Sequence, residues 1–142
     1  MENGEKRKKK VLFLCTGNSA RSQMAEGFLK KHSAGYFEVS SAGIKPAGVN
    51  PIAVEVMQEE GIDISDQTSG PITKEALKVS DLIITLCGDA RENCPYVPSK
   101  AEKRHWELED PARAEGTDEE VKEKFREIRD QIKAYVEQLI LE

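Results

Sequence analysis

The chain has 142 residues, of which 38% are hydrophobic and 33% charged, with a formal net charge of −5 at pH 7. That length and balance suit one domain, residues 1–142, with a sizeable core and a heavily charged surface, and the negative charge argues against a nucleic-acid binder. The basic EKRKKK run is followed by only VLFLC before Thr16 and Gly17, which is too short for a signal-peptide core or a membrane span.

The predicted elements alternate along the chain. Residues 1–9 read as a frayed, solvated terminus, and residues 10–15 as a buried strand. Residues 20–31 read as a helix with Met24, Phe28 and Leu29 on one face. Residues 37–41 form a second strand, closed by Ala42 and Gly43. Pro51 opens a helix at its favoured first-turn position and Gly61 ends it. Residues 73–78 make a short third helix, and residues 81–86, with the LIITL core, another apolar strand. Residues 87–102 read as irregular or briefly helical, and residues 104–108 as a fourth strand. The last helix is the clearest: Val121, Phe125, Ile128, Ile132, Tyr135, Val136 and Leu139 recur at three- and four-residue steps, with Thr117 as cap. Strands alternating with helices, and apolar throughout, imply βαβ units around a parallel sheet covered on both faces. Ligands bind at the carboxyl ends of such strands. Cys15, Cys87 and the segment after Leu108 all fall there.

The segment CTGNSARS, residues 15–22, carries most of the chemistry. A loop entering a helix can aim several backbone N–H groups at one centre, and the helix N-terminus adds roughly half a positive charge. Gly17 permits close approach of a ligand to the backbone. Arg21 supplies a planar fork suited to a tetrahedral oxyanion. The same field favours a thiolate at Cys15. Ser22 can donate to that thiolate, and Asn18 can brace the loop through side-chain bonds to its backbone. The loop Thr16, Gly17, Asn18, Ser19, Ala20 and Arg21 is therefore an anion pocket with a nucleophile at its floor. A Walker loop is excluded, because G-x-x-x-x-G-K is absent. Asp110, held in an extended or turn conformation by Pro111, is the candidate general acid for the leaving oxygen; on its own it would read as an ordinary turn aspartate.

Three cysteines, at 15, 87 and 94, make an odd count that is no disulfide framework in a reducing compartment. Buried, inert thiols are the ordinary reading of free cysteine. The flanks CTGNS, LCGDA and ENCPY are polar or glycine-containing, which weakens it. Zinc is not expected: Cys87 and Cys94 are too far apart for a zinc knuckle, and the chain has two histidines. His105, in RHW, reads as structural.

CTGNSARSQMAEG, SAGI, GVNP, GIDIS, DLIITLCGDA, NCP, HW and DPAR together resemble the thioredoxin-coupled arsenate reductases, from about Val11 to the C-terminal helix. The resemblance implies the low-molecular-weight tyrosine phosphatase fold: a three-layer α/β/α domain around a four-stranded parallel sheet. It further implies a mechanism for arsenic detoxification. Cys15 attacks arsenate held by the loop amides and Arg21, and Asp110 protonates the departing oxygen. Cys87 attacks the Cys15 sulfur, arsenite leaves, and Cys94 then takes over to give a Cys87–Cys94 disulfide. Reduced thioredoxin is the electron donor that resets the enzyme, and no cofactor is bound. Phosphate and sulfate are expected to compete for the loop. A cytoplasmic monomer with no membrane or nucleic-acid partner is the expectation.

Two departures from the family stand out. Ala20 replaces a cysteine common among relatives, at a position the relay does not use. Some relatives bind potassium through an Asn, a Glu, a Ser and an Asp; Asn18, Glu26 and Ser41 match, but Gly70 replaces the Asp, so no metal is expected. A bridged pair needs Cα atoms ~4.4–6.8 Å apart, whereas residues seven apart in a helix are separated by ~10.5 Å, so a helical 87–94 segment would have to unwind to close the second disulfide. Two other functions use the same loop. A phosphatase would employ Cys15, Arg21 and Asp110 with water completing turnover, but it carries a tyrosine where this chain has Ala112 and leaves Cys87 and Cys94 idle; weak phosphatase activity is expected as a side reaction. A non-catalytic oxyanion- or thioredoxin-binding module would keep its function without Cys15.

Overall fold

In the apolar run of the first strand, side chains alternate between two faces, yet Val11, Leu12, Phe13, Leu14 and Cys15 are all buried. Both faces of that strand must therefore be covered. The computed structural model describes residues 8–33, 35–86 and 101–142. Four parallel strands, β1 (Lys9–Cys15), β2 (Phe37–Gly43), β3 (Leu82–Thr85) and β4 (Glu102–His105), form one sheet in the order β2-β1-β3-β4. Central β3 is buried at every position, like the end of β1. Lys9 pairs with Phe37, so strand structure reaches into the stretch expected to fray; residues 1–7 lie outside the described residues.

The helices are α1 (Arg21–His32), α2 (Pro51–Gln58), α3 (Lys74–Val79) and α4 (Asp118–Leu141), with a 3-10 turn at Pro111–Arg113. Their ends follow from local chemistry. Asn50 accepts from the amides of Ile52 and Ala53, with Pro51 at the first turn. Gly61, at φ +75°, turns the chain after α2. Thr73 caps α3 from outside it, and Thr117 and Glu120 form a reciprocal capping box on α4. No helix among the described residues is long and apolar enough to cross a membrane.

Two expectations need correction. The fourth strand occupies 102–105 rather than 104–108, because its ladder begins opposite Leu82 and ends where β3 ends. As an edge strand it is built of charged residues, which blunts an open edge, and Arg104 pairs with Glu102 and Glu142. Trp106 and Leu108, which supplied the apolar signal, are buried beyond the strand, with Trp106 against the rings of Phe13 and Tyr135. Tyr135 is itself 38% exposed rather than a core residue; it stacks on Trp106 with ring centroids 4.8 Å apart. Phe125, Ile128, Ile132, Val136 and Leu139 are buried as their spacing requires.

Helix α4 packs on α1 and α2. A carboxylate–guanidinium cluster fastens the end of α2 to it. Arg126 grips Glu59 through Nε and Nη2, and the buried Arg129 reaches both Glu59 and the carbonyl of Val56. The Arg126 hydrogen bonds, opposed by desolvation and reinforced by Arg129, lower the Glu59 pKa from 4.5 to about 2. A carboxylate with a lowered folded pKa contributes stability above its unfolded value and loses it as pH falls through the folded one. Glu59→Gln is therefore expected to lower Tm at pH 7, with the gap to wild type closing between pH 4.5 and pH 2. Thermal melts across that range check it, and a gap that stays constant would show that Glu59 acts by packing instead.

Candidate active site

Strand β1 ends at Cys15 and helix α1 begins at Arg21, so the five residues between must turn the chain within one loop. Asn18 sits in that turn at φ +46°, a left-handed conformation that asparagine tolerates. The loop is held from outside. The amides of Ile44, Lys45, Ala47 and Asn50 donate to the carbonyls of Cys15, Thr16, Gly17 and Ser19. Among the described residues, the amides of Gly17, Asn18, Ser19, Ala20 and Arg21 donate to no protein acceptor. Helix α1 also has no side-chain cap at Ala20. An uncapped helix start with uncommitted amides is an anion cradle.

Cys15 is a free, buried thiol at the floor of this cradle. Its Sγ lies 2.9 Å from Ser22 Oγ. Asn18 Nδ2 donates to the same Ser22 oxygen at 2.9 Å, which leaves the hydroxyl proton available to sulfur. The brace role expected of Asn18 is present, but it runs outward rather than to the loop's own backbone: Asn18 Oδ1 accepts from Gln23 Nε2 and from the amide of Gly70. Gln23, fully buried, also donates to the carbonyls of Asn18 and Thr68 and accepts from Gln67. One hydrogen-bonded chain thus runs from Gln67 through Gln23, Asn18 and Ser22 to the sulfur.

Arg21 is 7% exposed. Its Nη1 donates to the carbonyl of Leu108 at 3.2 Å, and its Nη2 lies 3.6 Å from Asp110 Oδ2. Its Nε is buried without a partner. A guanidinium N–H left unpartnered at the start of a helix whose amides are uncommitted suits a tetrahedral oxyanion. Asp110 serves two ends at once. Oδ1 caps the 3-10 turn by accepting from the Ala112 amide at 3.0 Å, which is the ordinary turn role, while Oδ2 faces Arg21. Cys15, Ser22, Asn18, Arg21 and Asp110 are thereby gathered at one end of the sheet, with Thr16, Gly17, Ser19 and Ala20 forming the loop. Cys87 and Cys94, and the unwinding expected of residues 87–94, lie outside the described residues.

The residues matched to a potassium site divide into two groups. Ser41 and Lys30 both donate to the buried carboxylate of Glu26, while Asn18 and Gly70 bond each other in the loop brace. His105 bridges Thr85 Oγ1 at 2.7 Å and Glu107 Oε1 at 2.8 Å. No group of three or more His, Cys, Asp or Glu that could hold a metal occurs among the described residues.

Several residues that shape the site carried no warning in local spacing. Gln67 lies 44 positions from Gln23, so nothing local links them. Gly43 is the sharpest case: a Cβ there would sit 2.7 Å from the Asn18 nitrogen and 2.9 Å from the Thr16 carbonyl oxygen, both backbone atoms. Gly43→Ala is therefore expected to push the loop off its geometry and to lower the rate of Cys15 chemistry by about a hundredfold, the scale of an ångström-sized misplacement. Alkylation kinetics of Cys15 and phosphate titration of the same variant check this; wild-type values in both would mean the loop absorbs a methyl group freely.

The sequence was also compared with known proteins. Residues 10–142 match the family model of the low molecular weight phosphotyrosine protein phosphatases. An arsenate reductase of Halalkalibacterium halodurans is 57% identical over 125 residues, covering 88% of this chain and 90% of that one. A solved arsenate reductase in its phosphate-binding state superposes with a TM-score of 0.73 at 41% identity, covering 94% of this chain and 97% of that one. The thioredoxin-dependent arsenate reductase of Corynebacterium glutamicum superposes with a TM-score of 0.72 at 33% identity, covering 96% of this chain and 64% of that one. An anion cradle with a thiol floor, on this sheet and at this level of identity, means that the chain belongs to the low molecular weight phosphotyrosine protein phosphatase family.

Proposed function

We propose that the protein reduces arsenate to arsenite by a relay of three cysteines, as a cytoplasmic detoxifying enzyme regenerated by thioredoxin. The observation that carries the oxyanion chemistry is a Cys15 thiol hydrogen-bonded to Ser22 at the base of a loop whose amides are uncommitted and which leads into Arg21, whose buried Nε has no partner. The choice of arsenate follows the relatives, which are arsenate reductases at 57% and 41% identity.

In the proposed sequence, arsenate enters the loop and its oxygens take up the amides of Gly17 to Arg21 and the Arg21 guanidinium. The Cys15 sulfur attacks arsenic. Asp110, placed beside Arg21, gives a proton to the departing oxygen, and a thiol–arsenate adduct results. Cys87 attacks the Cys15 sulfur; the electron pair of the sulfur–arsenic bond stays on arsenic, which leaves as arsenite. Two thiols have then lost two electrons and arsenic has gained two. Cys94 displaces Cys15 from Cys87, forming a Cys87–Cys94 disulfide that reduced thioredoxin opens by thiol–disulfide exchange. Phosphate and sulfate compete for the same loop. The protein acts as a monomer.

The loop and Asp110 can also serve phosphate monoesters, and the family as a whole takes its description from phosphotyrosine phosphatases. Phosphatase action is the second reading, expected here as a weak side activity. A thiol count by mass spectrometry separates the two. The protein has three cysteines. Incubating the fully reduced protein with arsenate, without oxygen or thioredoxin, is expected to leave one free thiol and a bond mapped to Cys87–Cys94, while phosphate leaves all three. Three thiols surviving arsenate would put the phosphatase first. Asp110→Asn is expected to slow the arsenate-dependent thiol loss by about 10²–10⁴-fold, the usual contribution of a positioned acid. Stopped-flow quenching measures it, and an unchanged rate would leave Asp110 with its turn-capping role alone.

A further inference from the structure

Residues 107–115 (ELEDPARAE), the segment that brings Leu108 and Asp110 to Arg21, contain four acidic residues and one cation, Arg113. Glu109 and Glu115 in that segment are exposed. The whole chain is negative, so a doubly charged oxyanion approaches a protein of like net charge and passes exposed carboxylates on its way to the loop. Arg21, the cation inside, is buried and cannot reach out to meet it.

Arg113 is differently placed. Its side chain is 89% exposed, and its Nε lies 3.9 Å from Asp110 Oδ2. That is the same carboxylate oxygen that Arg21 Nη2 approaches at 3.6 Å. The two guanidiniums therefore flank one oxygen, one from inside the pocket and one from the solvent side. The 3-10 turn fixes this: Pro111 is buried, Asp110 caps the turn, and Arg113 closes it through its amide to the Asp110 carbonyl. The nearby Lys124 is engaged with Glu109 at 2.8 Å. Nothing in the packing calls for a guanidinium at position 113, since almost none of it is buried.

We propose that Arg113 is the entrance cation of the site, a specificity residue that draws oxyanions past the neighbouring carboxylates and hands them to Arg21. The inference rests on the oxyanion-pocket reading but not on arsenate as the substrate. An exposed charge at a pocket mouth raises the local concentration of a counter-ion and the rate of its arrival. Its influence is screened beyond ~10 Å at 0.1 M ionic strength, so salt should erase it.

The test compares iodoacetate with iodoacetamide as alkylating agents for Cys15, followed on the Cys15 peptide by mass spectrometry. Both form the same sulfur–carbon bond with loss of iodide, and they differ in charge. Wild type, Arg113→Lys, Arg113→Ala and Arg113→Glu are measured at low and at high ionic strength. At low salt, the iodoacetate-to-iodoacetamide rate ratio is expected to be retained in Arg113→Lys, to fall about three- to tenfold in Arg113→Ala, and to fall further in Arg113→Glu. The variants should converge at high salt. An unchanged ratio would overturn the proposal. So would an equal slowing of both reagents, which would mean that Arg113 acts only by holding Asp110 in place. Arsenate kcat/KM is expected to fall in parallel. If the ratio falls as expected while wild type loses no thiols to arsenate, the entrance cation stands and arsenate as substrate fails.

Discussion

A loop can turn a run of amides toward one point only if its carbonyls are satisfied from behind. That constraint governs this molecule. The carbonyls of Cys15, Thr16, Gly17 and Ser19 are all taken by the amides of residues 44, 45, 47 and 50. Backbone groups that are neither hydrogen-bonded nor hydrated are costly, so the backing segment decides which way the loop faces. The segment can come close enough because position 43 has no side chain. The strand β2, whose last residue is Gly43, therefore does more than extend the sheet: its carboxyl end leads into the outer wall of the cradle.

The setting of the Cys15 thiol is built in a second layer. The thiol sits at the buried end of β1, where an isolated polar group would be unfavourable. Ser22 is its hydrogen-bonding partner in the core. Ser22 is held by Asn18, and Asn18 by Gln23 and the Gly70 amide, so each polar atom in the chain is satisfied by the next. Such a network is rigid because loosening any member leaves a buried donor or acceptor exposed to nothing. It also means that the 67–70 segment, far from the loop in sequence, takes part in placing the Cys15 thiol.

The Asp110 side of the site is joined to the Cys15 side by one residue. Arg21 begins α1 and reaches across to Leu108 and Asp110, after β4. Helix α1 is in turn buried against α4, and α4 is clamped to α2 by Glu59, Arg126 and Arg129. The two chemical halves thus ride on elements that pack into one core. Preorganisation of this kind is how donors aimed at developing charge do their work without rearranging at the moment of reaction.

The sequence by itself determined the parts whose cause is local. Burial on two faces makes VLFLC and LIITL read as strands of a parallel sheet. The spacing of Phe125, Ile128, Ile132, Val136 and Leu139 makes the last helix unmistakable, and CTGNSARS between strand and helix announces an anion loop. Side-chain roles within one short segment, such as Ser22 on Cys15, followed from the same run. The tertiary structure decided what depends on register and on contacts distant along the chain. The fourth strand slid to 102–105 because its partner strand begins at Leu82, a fact about pairing rather than about residues 104–108. Tyr135 left the core because Trp106 came to meet it. Gly43, Gln23 and Gln67 became visible as parts of the site only when the chain had folded, because close approach and long-range hydrogen bonds leave no period in a sequence. Periodicity records which face of an element is buried; only packing in three dimensions decides what that face, and the atoms beside it, will touch.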